Sequence, residues 1–99
     1  MIKEQIDPAK NYPIEEILGS KGRLKILKTL ATDIELNISA IVDKTNLNHK
    51  IVDNHIKVLK KIGLIQEKRF GRIRIYRYKL ENLKARSLKK FIEIWENRY

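Results

Sequence analysis

Cysteine is absent from the chain. Disulfides, thiolate metal sites and cysteine nucleophiles are excluded with it. Long apolar runs are absent too: the longest is three residues, as in Ala40-Ile41-Val42, far short of a membrane span. The opening MIKEQIDPAKNYP lacks the apolar stretch of a signal peptide, so a soluble cytoplasmic protein is expected. Catalytic equipment is equally thin. There are two histidines, no glycine-rich phosphate loop, no nucleophile set beside a histidine and no paired carboxylates at a recognisable spacing. The sequence therefore reads as a non-enzyme without a cofactor. Acid is scarce in one half only. Met1 to His49 holds 7 basic and 7 acidic residues, whereas Lys50 to Tyr99 holds 15 basic and 5 acidic. The whole formal charge of +10 thus lies in the second half, which suggests a surface for a polyanion.

The residues present suffice for one hydrophobic core. The 99 residues are 42% hydrophobic and 34% charged, too apolar for disorder and too few for two domains. A lean toward isoleucine, lysine and leucine resembles proteins from hot habitats, although seven asparagines run against it. Residues 1–13 hold both prolines, Pro8 and Pro13, and no sustained period, and are read as a flexible N-terminal arm. A helical pattern starts at Ile14, with Ile17 and Leu18 on its face, and is interrupted at Gly19 and Gly22. Ser20 is placed to cap a second helix. Leu24, Leu27, Leu30 and Ala31 recur there at three and four, predicting a buried helix that ends near Thr32.

Glu35-Leu36-Asn37 reads as a short extended link, and Asn37 as the cap of a brief helix over 38–45 with Ile41 and Val42 inward. Asn46-Leu47-Asn48 is a turn. Asn48 caps the next helix, in which Val52, Ile56 and Leu59 face the core and Lys60, Lys61 and Gly63 mark the end. Two strand-like runs come next, 64–69 and 72–79, around a turn at Phe70-Gly71. In the second run Arg72, Arg74, Tyr76 and Tyr78 share one face, and Ile73, Ile75, Arg77 and Lys79 the other. Both faces carry apolar bodies, so the inward one stays open. A last helix is predicted over 81–99. Its apolar face of Leu83, Leu88, Phe91, Ile92, Ile94 and Trp95 is wider than a lone surface helix needs, which a second subunit would explain.

The predicted class is mainly α with a small β-hairpin. Short helix, three-residue turn and longer helix make a helix-turn-helix, and the basic hairpin after it makes a wing. Here the chain resembles a known family. ISAIVDKTNLNHKIVDNHIKVLKKIGLIQEKRFGRIRIYRY looks like the winged helix-turn-helix of ArsR-type transcriptional regulators in an archaeal form, and GSKGRLKILKTLA resembles the helix that precedes it. The resemblance covers 14–78, with the last helix fitting as well. It implies a homodimer on double-stranded DNA, with the recognition helix in the major groove and the wing on backbone or minor groove. The chain then divides into the arm, a DNA-binding domain over 14–80 and a dimerisation helix over 81–99.

The residues point the same way. Asn48, His49, Lys50, Asn54 and Lys57 are the candidate DNA contacts of the recognition helix: asparagine can pair an adenine edge, and lysine can reach guanine or phosphate. Lys68, Arg69, Arg72 and Arg74 are those of the wing. With Arg77 they form five cations within ten residues that contain no acid, a cluster that favours an anionic partner over a merely guarded edge strand. Ile14, Leu18, Leu83, Leu88, Phe91, Ile92 and Trp95 are the candidate dimer seam. For Phe91 and Trp95, a seam is preferred to an aromatic-ligand site; Tyr76 and Tyr78 are expected to pack rather than stack on bases. Asp53 departs from the family, where a small hydroxyl is usual; facing phosphates, it must either accept from a cytosine amino group or be neutralised, and a local pair with Lys50 or Lys57 is the preferred reading. His55 is expected to bond backbone at the helix seam rather than a phosphate. His49 and His55, six apart, do not share a helix face, so no metal site is expected and metal sensing is not carried over. A repressor is the leading reading. The alternatives are an architectural protein that reads only backbone, and a winged-helix module for protein or RNA.

Overall fold

The structure, a computed structural model, describes residues 12–98. Nearly all of the arm expected over 1–13 lies outside the described residues. The elements are α1 (Glu15–Leu18), α2 (Lys21–Asp33), β1 (Glu35–Asn37), α3 (Ile38–Thr45), α4 (His49–Ile62), β2 (Ile65–Phe70), β3 (Ile73–Tyr78) and α5 (Leu83–Trp95). Each of the four longer helices begins where a short polar side chain turns back onto an amide in the first turn. Ser20 accepts from Arg23 N at 3.2 Å, Asn37 from Ala40 N at 2.8 Å, Asn48 from Ile51 N at 2.9 Å and Asn82 from Ala85 N at 3.0 Å. Such caps contribute about 1 kcal/mol each and fix where each helix starts. Helix α3 stops at Asn46 and α4 at Gly63, both left-handed, with φ 62° and 94°. The amides of Gly63 and Leu64 both return to the Leu59 carbonyl, which turns the chain out of α4 and into the wing.

The expected link at 35–37 is a strand. It pairs antiparallel with β3, Leu36 opposite Tyr76, so the hairpin becomes a three-stranded sheet of order β1-β3-β2. Ile34 makes this possible by taking φ 71°, a conformation a β-branched residue rarely adopts. Its carbonyl accepts from Tyr78 N at 2.8 Å, which stitches the end of α2 to β3. Phe70 belongs to β2 rather than to the turn, and the turn is Gly71-Arg72 with Gly71 at φ 62°. The inward face of β3 is the one with Arg74, Tyr76 and Tyr78; Tyr76 and Tyr78 are buried in the core.

The core gathers Ile26, Leu27 and Leu30 of α2, Ile41 of α3, the Val52–Ile56–Leu59–Ile62 stripe of α4, the two tyrosines, and Ala85 and Ile92 of α5. Leu24, expected inward, is half-buried, and Ile26 takes its place. The Tyr78 hydroxyl donates to the Ala85 carbonyl at 2.5 Å and ties sheet to α5; burial pushes its phenol far up. The last helix is shorter than predicted. It starts after the Asn82 cap and ends at Trp95, before Asn97 turns left-handed at φ 59°. No helix among the described residues is long and apolar enough to cross a membrane.

Candidate nucleic-acid interface

Burial of Val52, Ile56, Leu59 and Ile62 leaves the opposite side of α4 to Lys50, Asn54, Lys57 and Lys61, one outward row at spacings of four, three and four. His49 is exposed at the start of the same helix. Asn48 is exposed too, but its carboxamide oxygen is engaged in capping, so only its amide nitrogen is left to reach outward. The wing projects beside this row, with the turn Gly71-Arg72 at its tip.

Four of the five wing cations pair with acids that lie outside their acid-free ten-residue window. Lys68 meets Glu35 of β1 at 2.7 Å, Arg69 meets Glu67 at 2.9 Å, and Arg77 meets Glu81 at 2.8 Å. Arg77 also donates to the Gln66 side-chain Oε1, and its hydrogen bond to Glu81 holds that carboxyl down to about 2. Arg74 lies on the inner face of β3 with its guanidinium 3.8 Å from Asp53 of α4. Asp53 also has Lys57 at 4.0 Å; Arg74 was not foreseen as its partner, and Lys50 does not reach it. Among the described residues, Arg72 alone of the five makes no ion pair. Exposed pairs of this kind contribute only about 0–1 kcal/mol, so a phosphate can displace their carboxylates.

Two ion pairs link α4 to the wing. Lys60 of α4 reaches Glu67 of β2 at 2.6 Å, and this hydrogen bond is the main reason the Glu67 carboxyl titrates lower than usual. Asp53 and Arg74 make the second tie, in the opposite sense. The sequence also hid an apolar feature at the tip. Phe70 and Ile73 are cross-strand partners, 60% and 56% exposed on the outward face. Each is a good strand former, and only the register shows that both face solvent.

His55 is half-buried between α4 and α2. Its Nδ1 accepts from Arg23 Nε at 3.3 Å, so the seam contact is to a side chain rather than to backbone. A Cβ at Gly22 would stand 3.0 Å from its Nε2, a tight contact to which the imidazole would have to yield. Desolvation, and then the Arg23 charge, hold the His55 pKa below its ordinary 6.5. As pH falls, the unfolded chain therefore takes up this proton first. The stabilisation is complete above the ordinary value and is lost as pH falls through the lowered folded one. Melting temperature should decline as pH falls below the ordinary histidine value, and His55→Gln should flatten that decline. An unchanged slope in the variant would show that other groups set it. Among the described residues no three His, Asp or Glu side chains gather as a metal site.

On the far side, α1 and α5 flank an open apolar groove of about 760 Å3 lined by Ile14, Ile17, Leu18, Leu83, Leu88 and Phe91 among others. Ile14, Leu18, Leu83, Phe91 and Trp95 are exposed, from 39% at Leu18 to 73% at Trp95. The Phe91 and Trp95 rings lie 5.9 Å apart and tilted. Of the residues expected at a seam, Ile92 is instead buried in the protomer's own core, and Leu88 is half-buried against it.

Residues 20–67, just under half of the chain, match the sequence profile described as bacterial regulatory protein, arsR family. The match runs from the α2 cap through α4 into β2, so this segment is similar to the helix-turn-helix of that family. A comparison with curated proteins gave no match. Solved structures do match. The homodimeric winged helix-turn-helix DNA-binding domain from Mycobacterium bovis, described as a possible ArsR-family transcriptional regulator, is 25% identical over 85% of this chain and 75% of its own, with a TM-score of 0.67. HlyU from Vibrio cholerae is 17% identical over 93% of this chain and 97% of its own, with a TM-score of 0.75. Sso10a-2, a DNA-binding protein from Sulfolobus solfataricus, is 18% identical over 79% and 83%, with a TM-score of 0.56. The last two likenesses are of fold alone.

Proposed function

We propose that the chain is a DNA-binding transcriptional regulator of the ArsR type, a repressor that acts as a homodimer on an operator. The observation that carries this reading is the outward row of α4, Lys50, Asn54 and Lys57, set beside a wing whose tip arginine has no acidic partner among the described residues. The second half of the chain supplies the positive charge that a phosphate backbone requires. Asn54, Lys50, Lys57 and His49 meet base edges and adjacent phosphates in the major groove. Arg72 meets backbone or minor groove, Lys68 and Arg69 exchange their carboxylates for phosphate, and Arg74 reaches a phosphate while remaining beside Asp53. The groove between α1 and α5 takes a second copy, as the homodimeric state of the M. bovis domain supports. Two recognition helices then address half-sites about 34 Å apart. Binding to promoter DNA is the whole activity, without catalysis or metal.

The test is salt titration on an operator selected from random duplexes and on a scrambled duplex. Each phosphate contact contributes about 0.9 to the slope of log K against log salt, and each base contact roughly 1–3 kcal/mol of discrimination. Arg72→Ala should weaken both duplexes alike and flatten the slope by about one unit. Asn54→Ala should weaken the operator selectively, by roughly tenfold, with the slope kept. If Asn54→Ala binds both duplexes as the parent does while Arg72→Ala loses only the operator, the roles of helix and wing are reversed. Equal parent affinity for every duplex would favour the architectural reading.

A further inference from the structure

We propose that Asp53 is a specificity-determining residue that accepts a hydrogen bond from the exocyclic amino group of a cytosine in the major groove. The inference rests on the DNA-binding reading above and assigns a base to one residue of that surface. Asp53 is the fifth residue of α4 and its only acid. It lies one turn beyond His49 and one turn before Lys57, adjacent to Asn54 and on the flank of the outward row that faces the wing. Its side chain is 31% exposed.

The neighbouring carboxylates show what a purely structural acid looks like in this fold. Glu67 receives Lys60 at 2.6 Å and Arg69 at 2.9 Å, and Glu81 receives two nitrogens of Arg77. Asp53 differs. Arg74 stands 3.8 Å from one oxygen and Lys57 4.0 Å from the other, close enough to balance its charge and too far to hydrogen-bond. Among the described residues no donor bonds either oxygen. The carboxylate is therefore held in a cationic frame that offsets its repulsion from phosphate, with its acceptor sites open.

An ionised carboxylate only accepts. It cannot pair with guanine O6 and N7 or with thymine O4, which are acceptors themselves. Cytosine N4 and adenine N6 are the two amino donors of the major groove. Adenine sets the acceptor N7 beside its amino group, where it repels the carboxylate; cytosine sets no acceptor there. Cytosine is the base that fits. At other bases the carboxylate meets an acceptor, a methyl group or an amino group with an acceptor beside it, so it also lowers binding to random DNA.

The experiment is selection of bound duplexes from a random pool by the full chain, Asp53→Ala, Asp53→Asn and Arg74→Ala, followed by titration of the selected and scrambled duplexes. The parent should enrich cytosine at one position in each half-site, preferring it by roughly tenfold. Asp53→Ala should recover the same site with that position open and bind scrambled DNA several-fold more tightly. Asp53→Asn should move the preference to adenine, because a carboxamide both accepts from N6 and donates to N7. Arg74→Ala should bind all duplexes more weakly and still select cytosine, which separates base reading from a clamp between helix and wing. If Asp53→Ala enriches the same base at every position as the parent, or if Arg74→Ala loses the cytosine as fully as Asp53→Ala does, the inference is overturned while DNA reading stands. If the parent enriches no sequence, the regulator reading fails and this one with it.

Discussion

A double variant, Leu18→Glu with Phe91→Glu, should sediment as a folded monomer of about 11.7 kDa and bind its operator at least a hundred-fold more weakly than the parent. Both side chains line the groove between α1 and α5, and both are exposed in the single chain, 39% and 51%. Replacing them therefore costs the protomer little, and the helical circular dichroism should be unchanged. In a dimer the same positions would be covered. A carboxylate there loses the apolar contact, about 1.5–3 kcal/mol for a large side chain, and must also be desolvated against its symmetry mate. Loss of the second subunit then removes the linked second half-site. Linkage of two sites raises affinity by roughly 10²–10⁴ over either alone, so the loss should fall in that range. Half-site affinity and the salt slope per protomer should survive. A double variant that still sediments as a dimer and holds the full operator would place the seam elsewhere.

The parts of this fold that could be read from the sequence are those fixed by neighbours along the chain. Asn37, Asn48 and Gly63 mark helix ends because a cap needs only a short polar side chain or a missing Cβ at a set distance from the apolar repeat. The α4 stripe Val52, Ile56 and Leu59 was legible for the same reason. The features that escaped depend on chain segments far apart in sequence. Glu35-Leu36-Asn37 has no period of its own and becomes a strand only because β3 offers it an edge. The inward face of β3 could not be chosen when each face held both cations and apolar bodies; Tyr76 and Tyr78 win because they fill the core beneath α2 and α4. Ile92 sits on the same apolar face as Phe91 and Trp95 by period, yet the packing of α5 on α2 divides that face, with Ala85, Leu88 and Ile92 toward the core and Leu83, Phe91 and Trp95 away. The wing cations looked unpartnered because their acids come from Glu35, Asp53, Glu67 and Glu81, all outside the window.

Leu59→Ala should destabilise the protein by about 3 kcal/mol while leaving its operator affinity close to that of the parent. Leu59 has no exposed surface, and its carbonyl receives the amides of Gly63 and Leu64 where the chain leaves α4 for the wing. Truncation removes three carbons from a packed site. Surroundings relax only in part, so the loss combines transfer with a cavity, a range of roughly 2–5 kcal/mol for such changes. In a domain of this size each kcal/mol shifts the melting point by roughly 4–8 °C, so a fall of roughly 12–24 °C is expected. Parent and variant must be melted at equal concentration, because the midpoint of a dimer would depend on it. Below the transition the backbone hydrogen bonds of the α4 terminus remain, and no atom of Leu59 reaches the surface where Lys50, Asn54 and Lys57 stand. Affinity measured well below the melting point should therefore stay within a few-fold of the parent. Asn54→Ala should do the reverse, lowering operator affinity with the melting point almost unmoved, since its side chain is exposed and makes no contact with the core. Thermal melts and operator titrations on the two variants check both halves. A Leu59→Ala protein that melts with the parent would mean the α4 stripe is not what holds the recognition helix to the core. A Leu59→Ala protein that is fully folded but loses discrimination would mean that packing beneath the helix, rather than the identity of its outward residues, sets which bases are read.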